Sequence, residues 1–127
     1  MSEVPENLHY TKEHEWVRRE GDRAVVGITD HAQTELTDVV YVELPEVGAE
    51  FSAGEWFAVI ESVKAASEVY APFPGRVAEV NKELDDRPEL VNDSPYDKGW
   101  LVVFDVAETA DAVNLLTPDE YRGLIEE

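Results

Sequence analysis

Residues 56–71 read Trp56-Phe57-Ala58-Val59-Ile60-Glu61-Ser62-Val63-Lys64-Ala65-Ala66-Ser67-Glu68-Val69-Tyr70-Ala71. Two stretches rich in β-branched and aromatic residues flank a short run of small side chains. In the first, Trp56, Ala58 and Ile60 recur with period two and share one strand face. The second, over residues 67–71, repeats the character. Strand, short small-residue turn, strand is a β-hairpin. Lys64 is predicted at its tip, pointing outward, with Ala65 and Ala66 leaving the amine approachable from several sides.

The same pattern extends to both ends of the chain. Alternating apolar runs predict further strands over residues 14–18, 24–28, 39–44, 76–80 and 101–106, the last with Val102, Phe104 and Val106 on one face. Turn signals separate them: Glu20-Gly21-Asp22, Pro45 to Gly48, Ala53-Gly54, Pro72 to Gly75 and Lys98-Gly99. The expected class is therefore all-β, with a few short helices. Asp30 followed by Gln33 reads as an N-cap and its capping-box partner, opening a helix through Leu36. Thr117-Pro118-Asp119-Glu120 is a stronger start, with a Thr cap, Pro at the first helical position and Glu three residues after the cap. Residues 107–116 read as helical. An internal echo, V-x-x-P-x-x-G, occurs at Val42 to Gly48 and again at Val69 to Gly75. It predicts two quasi-equivalent half-sheets joined through residues 51–70.

Composition bounds the function. A chain of 127 residues suits one domain spanning 1–127, burying roughly two-thirds of the surface it exposes unfolded. The formal charge of -19 argues against nucleic-acid binding, which needs Lys and Arg to neutralise phosphates. The acidity is spread along the chain, so it reads as a soluble surface, or as a field that steers partners. No apolar run reaches membrane-spanning length, so no membrane association is expected. The N-terminus, Met1 to Asn7, carries Glu3 and Glu6 and no Arg or Lys, unlike a signal peptide or presequence. A cytoplasmic prokaryotic protein is the expectation.

There are no cysteines. Disulfides, thiolate nucleophiles and Cys metal sites are thereby excluded, and any thiol chemistry needs an attached group. Of four lysines, Lys12, Lys64, Lys82 and Lys98, only Lys64 lies in a predicted hairpin. A carrier lysine must be exposed above a rigid backbone, and a sheet-anchored hairpin gives both. Acylating the amine makes an arm on the order of 10 Å long. Local pattern alone equally fits an unmodified surface lysine.

A set of ordered motifs weighs against that plain reading: Tyr10; His14-Glu15-Trp16; Gly27-Ile28-Thr29-Asp30-His31-Ala32-Gln33; Val42-Glu43-Leu44-Pro45; Glu61-Ser62-Val63-Lys64-Ala65; Pro72 with Gly75; Val80-Asn81; Asn92; and Ser94-Pro95-Tyr96 with Gly99-Trp100-Leu101. In order and spacing the chain resembles the H-protein family of the glycine cleavage system over nearly its whole length. The resemblance implies a barrel-sandwich hybrid of the lipoyl/biotinyl-carrier kind and a carrier in glycine catabolism and one-carbon metabolism, not an enzyme. It implies (R)-lipoate attached to Lys64, with Glu61 and Gly75 linked to recognition by a lipoylating enzyme. It further implies three partners. A pyridoxal-phosphate glycine decarboxylase (P-protein) loads an aminomethyl group, a tetrahydrofolate-dependent aminomethyltransferase (T-protein) removes it, and dihydrolipoyl dehydrogenase (L-protein) reoxidises the dithiol. Members fold the loaded arm into a surface cleft, where Glu15, with Glu68, is expected to pair with the cationic amine. Two positions depart from the family: Thr37 stands where Gly is usual, and Glu68 where Asp is common.

Other readings fare worse. A biotin carrier favours Met on both sides of the lysine, whereas Val63 and Ala65 flank Lys64. Lipoyl domains of 2-oxo acid dehydrogenase complexes usually have Asp before the lysine and Pro/Ala-rich linkers. The three histidines, His9, His14 and His31, show no H-E-x-x-H or H-x-x-E-H spacing. The run Glu83-Leu84-Asp85-Asp86-Arg87 lacks the glycine of a calcium loop and reads as a solvated loop. Asn92, Ser94 and Pro95 read as turn formers in a fixed loop near Trp100.

Overall fold

Side-chain alternation sorts the strands of this chain onto two antiparallel sheets. The computed structural model describes residues 3–106 and 115–125. Within them lie β1 (His9–Tyr10), β2 (Glu15–Glu20), β3 (Arg23–Ile28), α1 (Asp30–Leu36), β4 (Val39–Glu43), β5 (Glu50–Phe51), β6 (Trp56–Ser62), β7 (Ala66–Tyr70), β8 (Gly75–Val80), α2 (Glu83–Asp86), α3 (Leu90–Asp93), β9 (Val102–Asp105) and α4 (Pro118–Ile125). One sheet has the order β1-β2-β3-β9-β8-β5, and the other β4-β6-β7. Every predicted strand is present, with ends shifted by a residue or two. The short strands β1 and β5 were not visible in the pattern, because two residues carry no period.

The echo in the sequence marks an equivalence of path. β4 and β7 flank β6 in the three-stranded sheet, and each is followed by a V-x-x-P-x-x-G turn into the other sheet. There the two successors, β5 and β8, pair with each other. Among the described residues the sheets hold six and three strands, so the halves match in route and differ in size.

The main core lies between the sheets. Val17, Val26, Val102 and Phe104 from one side meet Val42, Ala58, Ile60 and Val69 from the other. The large sheet is also covered on its outer face. There Tyr10, Trp16, Val25, Val103 and Tyr121 form a second cluster under the N-terminal segment and α4. Hence Glu15, Trp16 and Val17 are buried in succession, as are all residues of β3 after Arg23. Gly27 makes room for this cluster: a Cβ there would come 2.7 Å from the Trp16 indole, whose Nε1–H donates to the Pro95 carbonyl at 2.8 Å. Val102, Phe104 and Val106 share the inner core, as their spacing requires.

Four local readings need correction. A β-bulge between Trp56 and Ala58 breaks the alternation, so Phe57 turns inward and Trp56 is 49% exposed. The N-cap of α1 is Thr29, one residue before Asp30; its hydroxyl accepts from the Ala32 N–H, and the Asp30 carboxylate instead accepts from the Gln33 side chain. The acidic run at 83–87 begins with a helical turn, because burying Leu84 pulls it against the core. Asn92, read as a turn former, sits in the helical turn α3. The capping box of α4 forms as read: Thr117 N–H donates to Glu120 Oε1 at 2.9 Å, and Glu120 N–H donates to Thr117 Oγ1 at 3.2 Å. The helix expected over 107–116 lies outside the described residues except at its end, where Leu116 is extended and bridges Tyr10.

Thr37, the C-cap of α1, has φ 63° and ψ -145°. That region is almost the preserve of glycine and costs a larger residue about 1–3 kcal/mol. The side chain is exposed. Thr37→Gly is therefore expected to raise stability by about 1 kcal/mol, net of the extra freedom glycine gives the unfolded chain. A higher urea midpoint at unchanged slope shows the gain; a lower midpoint contradicts the strain.

Candidate carrier site and its cleft

Strands β6 and β7 form the predicted hairpin, with Glu61 opposite Ala66. Ser62 and Ala65 close it around a two-residue loop of Val63 and Lys64. Such loops usually take mirror-image turns that need positive φ. Neither Val63 nor Lys64 has one. The Ser62 side chain supplies what the turn lacks. Its Oγ accepts from the N–H of Lys64 (3.2 Å) and of Ala65 (3.0 Å) and donates to the Ala65 carbonyl (3.1 Å), which also takes the Ser62 N–H at 2.8 Å. The loop is tied to the body as well. Val63 N–H donates to the Asp38 carbonyl at 3.0 Å. Asn92 holds that neighbouring turn from both sides, accepting from Val39 N–H (2.8 Å) and donating to the Thr37 carbonyl (2.7 Å). Lys64 thus stands exposed on a braced backbone.

Beside the hairpin lies a cleft of about 410 Å³ between β2, α1 and β7. Ile28, Leu36, Ile60 and Val69 give it an apolar lining, and Glu13, Glu15, Glu35 and Glu68 an acidic one. Lys64 Nζ donates to the Glu35 carbonyl at 3.2 Å, which sets the amine at the mouth. An aliphatic chain starting there meets apolar wall first and carboxylates for any cationic end.

The two predicted cleft carboxylates occupy different environments. Glu68 is exposed, and Tyr70 Oη donates to it at 3.3 Å. Glu15 is 2% exposed with both oxygens engaged: Oε1 accepts from the Thr11 hydroxyl at 2.7 Å, and Oε2 from the Tyr70 N–H at 2.9 Å. Burial pushes its carboxyl up to about 7; Glu13 acts in the same direction, and the two hydrogen bonds oppose. Glu61 is exposed on β6, three residues before Lys64. Gly75 is not brought near them. It pairs with Phe51 in the large sheet and shares a shallow depression with Glu55, at the other end of β6 and roughly 20 Å along it by strand rise. A Cβ on Gly75 would press on the Asp105 carbonyl at 3.2 Å and on Phe104 at 3.3 Å.

Sequence reasoning missed Glu13, Glu35 and His31 of the cleft, and the supports Thr11, Asn92 and Tyr121. Spacing gives no signal for groups that meet from β2, α1 and β7. His31 and Asn92 stand in the motifs quoted above, Asn92 as a turn former, but no motif signals the contacts they make here.

The raised Glu15 carboxyl makes a signed prediction. The native state holds this proton up to about pH 7, and the unfolded chain releases it near 4.5. Between those values the native state binds more protons, so this group's contribution to stability is present below the window and is lost as pH rises through it. Relative to Glu15→Gln, the wild type should lose on the order of 2–3 kcal/mol from pH 4.5 to pH 8. Urea unfolding of both proteins at the two pH values measures this; a pH-independent difference contradicts it.

Comparison with known proteins agrees with this geometry. The family model for the glycine cleavage H-protein matches residues 8–127. The glycine cleavage system H protein of Halalkalibacterium halodurans is 54% identical, over 100% of this chain and 99% of its own. That of Geobacillus kaustophilus is 56% identical over 98% of each. The crystal structure of the glycine cleavage system H protein from Mycobacterium marinum superposes with a TM-score of 0.90 at 38% identity, covering 98% of this chain and 100% of that one. The two-sheet architecture is thus the barrel-sandwich that the resemblance implied. The chain belongs to the glycine cleavage H-protein family.

Proposed function

We propose that Lys64 is the lipoyl-bearing residue of this H-protein, and that the cleft beside it receives the loaded arm. One observation carries the reading: the Lys64 amine already touches the carbonyl of Glu35, a residue of the cleft wall. An arm amide-linked at that nitrogen enters the cleft without moving the backbone.

As an H-protein the chain is a carrier, serving the P-, T- and L-proteins of glycine cleavage. When attached, lipoate supplies the disulfide and dithiol chemistry by which the aminomethyl group from glycine is accepted, its methylene is passed to tetrahydrofolate with release of ammonia, and the remaining dithiol is reoxidised. The protein's own part is to hold, expose and shield. The Ser62-clamped loop presents the amine to the lipoylating enzyme, with Glu61 as the exposed recognition contact beside it. Gly75, at the far end of β6, acts through the close packing of β8 on β9. In the cleft, exposed Glu68, Glu13 and Glu35 are placed to pair with the ammonium of the cargo. Glu15, with both oxygens taken, holds the wall in place. The net charge of -19 favours encounter with basic docking faces. Among the described residues no helix is long and apolar enough to cross a membrane. With bacterial relatives, we place this work in the cytoplasm.

The test is intact mass after co-expression with a lipoylating enzyme and lipoate. The wild type should gain one lipoyl increment, mapped by peptide digestion to Lys64. Lys64→Arg should fold with the same urea midpoint to within about 0.5 kcal/mol, as surface substitutions do, yet gain nothing and support no glycine–bicarbonate exchange. An increment on another lysine, a biotinyl increment, or exchange by the Arg variant overturns the assignment.

A further inference from the structure

The cleft contains two imidazoles that the carrier reading leaves without a role. His14 enters it from a backbone of φ 69°, a conformation few residues adopt readily. The ring lies tilted at 39° against that of His31 of α1, with centroids 4.8 Å apart. Its Nδ1 lies 2.8 Å from the hydroxyl of Tyr121, a fully buried residue of α4. That hydroxyl is 2.7 Å from Oγ1 of Thr29, itself fully buried.

Hydrogen counting gives this chain a direction. Thr29 Oγ1 already accepts from the Ala32 N–H at 3.2 Å, as the cap of α1. Its single hydrogen needs an acceptor, and the Tyr121 oxygen is at hand. With Thr29 as that donor, the phenolic hydrogen has His14 Nδ1 as an acceptor at 2.8 Å. A nitrogen that accepts leaves the other one carrying the proton.

We infer that Tyr121 on the C-terminal helix fixes His14 as the Nε2–H tautomer, making His14 a positioning residue that keeps the cleft's carboxylates free for the cationic cargo. The inference rests on the proposed use of the cleft. The groups around the imidazole explain why neutrality matters. Glu13 and Glu15 approach from β2 and its turn, His31 and Glu35 from α1, Glu68 from β7, and Tyr121 from α4. Lys64 stands at the mouth. An imidazolium among these carboxylates would occupy the partners that an ammonium needs. A neutral ring with its acceptor nitrogen turned to Tyr121 does not, and offers a fixed N–H to the arm instead. Burial first, and His31 second, also hold the His14 pKa below the usual histidine range, against the opposing pull of Glu13 and Glu35.

Two measurements test this. Two-bond proton–nitrogen NMR of the unmodified protein reads the tautomer directly. Wild-type His14 should show the Nε2–H pattern, and Tyr121→Phe should weaken that preference and move the ring's titration upward. A wild-type Nδ1–H pattern overturns the inference, and so does a folded Tyr121→Phe with an unchanged spectrum; if that variant does not fold, the wild-type spectrum decides. The second measurement follows ammonia release from lipoylated protein loaded with glycine and its decarboxylase. His14→Ala should release several-fold faster than wild type, and His14→Gln, which restores an N–H near Nε2, should recover most of the protection. If wild type releases as fast as the same protein unfolded in urea, the cleft reading fails. If wild type protects and His14→Ala protects equally, only the role of His14 fails.

Discussion

One buried carboxylate joins the two sheets where the cleft begins. Glu15 belongs to β2 of the large sheet, and its Oε2 takes the N–H of Tyr70, at the end of β7 in the small one. Its other oxygen holds the Thr11 hydroxyl, and Thr11 N–H donates in turn to the Glu15 carbonyl at 2.9 Å. An ionisable group is costly to bury without partners, and here one partner is the Thr11 hydroxyl and the other the Tyr70 backbone N–H, on two segments that must stay in place for the cleft to exist. The turn carrying Glu13 and His14 is closed by these bonds. So is the separation between β2 and β7 that gives the cleft its width.

Much of this was legible in the chain. The hairpin under Lys64 follows from period two and small turn residues, and the lysine's value as a site follows from a sequence that lacks any thiol. The α4 capping box was readable because its partners lie three residues apart. What escaped was set by tertiary contact. Trp56 leaves its predicted face because a bulge at Phe57 resets the register, and a bulge has no periodic signature. The second core was hidden for a similar reason: β3 is apolar on both faces, a pattern that says "buried" without saying by what. The tie from Asn92 to the turn at residues 37–39 spans more than fifty positions, so nothing local announces it.

The departures at Thr37 and Glu68 fall on opposite sides of function. Thr37 keeps a glycine-like backbone without being glycine, a cost in stability borne away from the chemistry. Glu68 lengthens a carboxylate that faces the cleft and so changes the reach of a group that, in the proposed function, meets the cargo. A carrier tolerates the first easily; the second bears on how firmly the arm is held.

Helix α1 has no basic residue in its last turn. The partial negative charge that aligned peptide dipoles build at such an end is met from outside the helix, by the ammonium of Lys64 on the Glu35 carbonyl. Acylation of Lys64, as proposed, would turn that ammonium into a neutral amide with a single N–H. Modification would therefore do more than lengthen a side chain: it would withdraw a counter-charge from the end of α1. The lipoylated and unlipoylated proteins should differ at this helix terminus as well as at the lysine, and an enzyme that meets both forms has that difference to read.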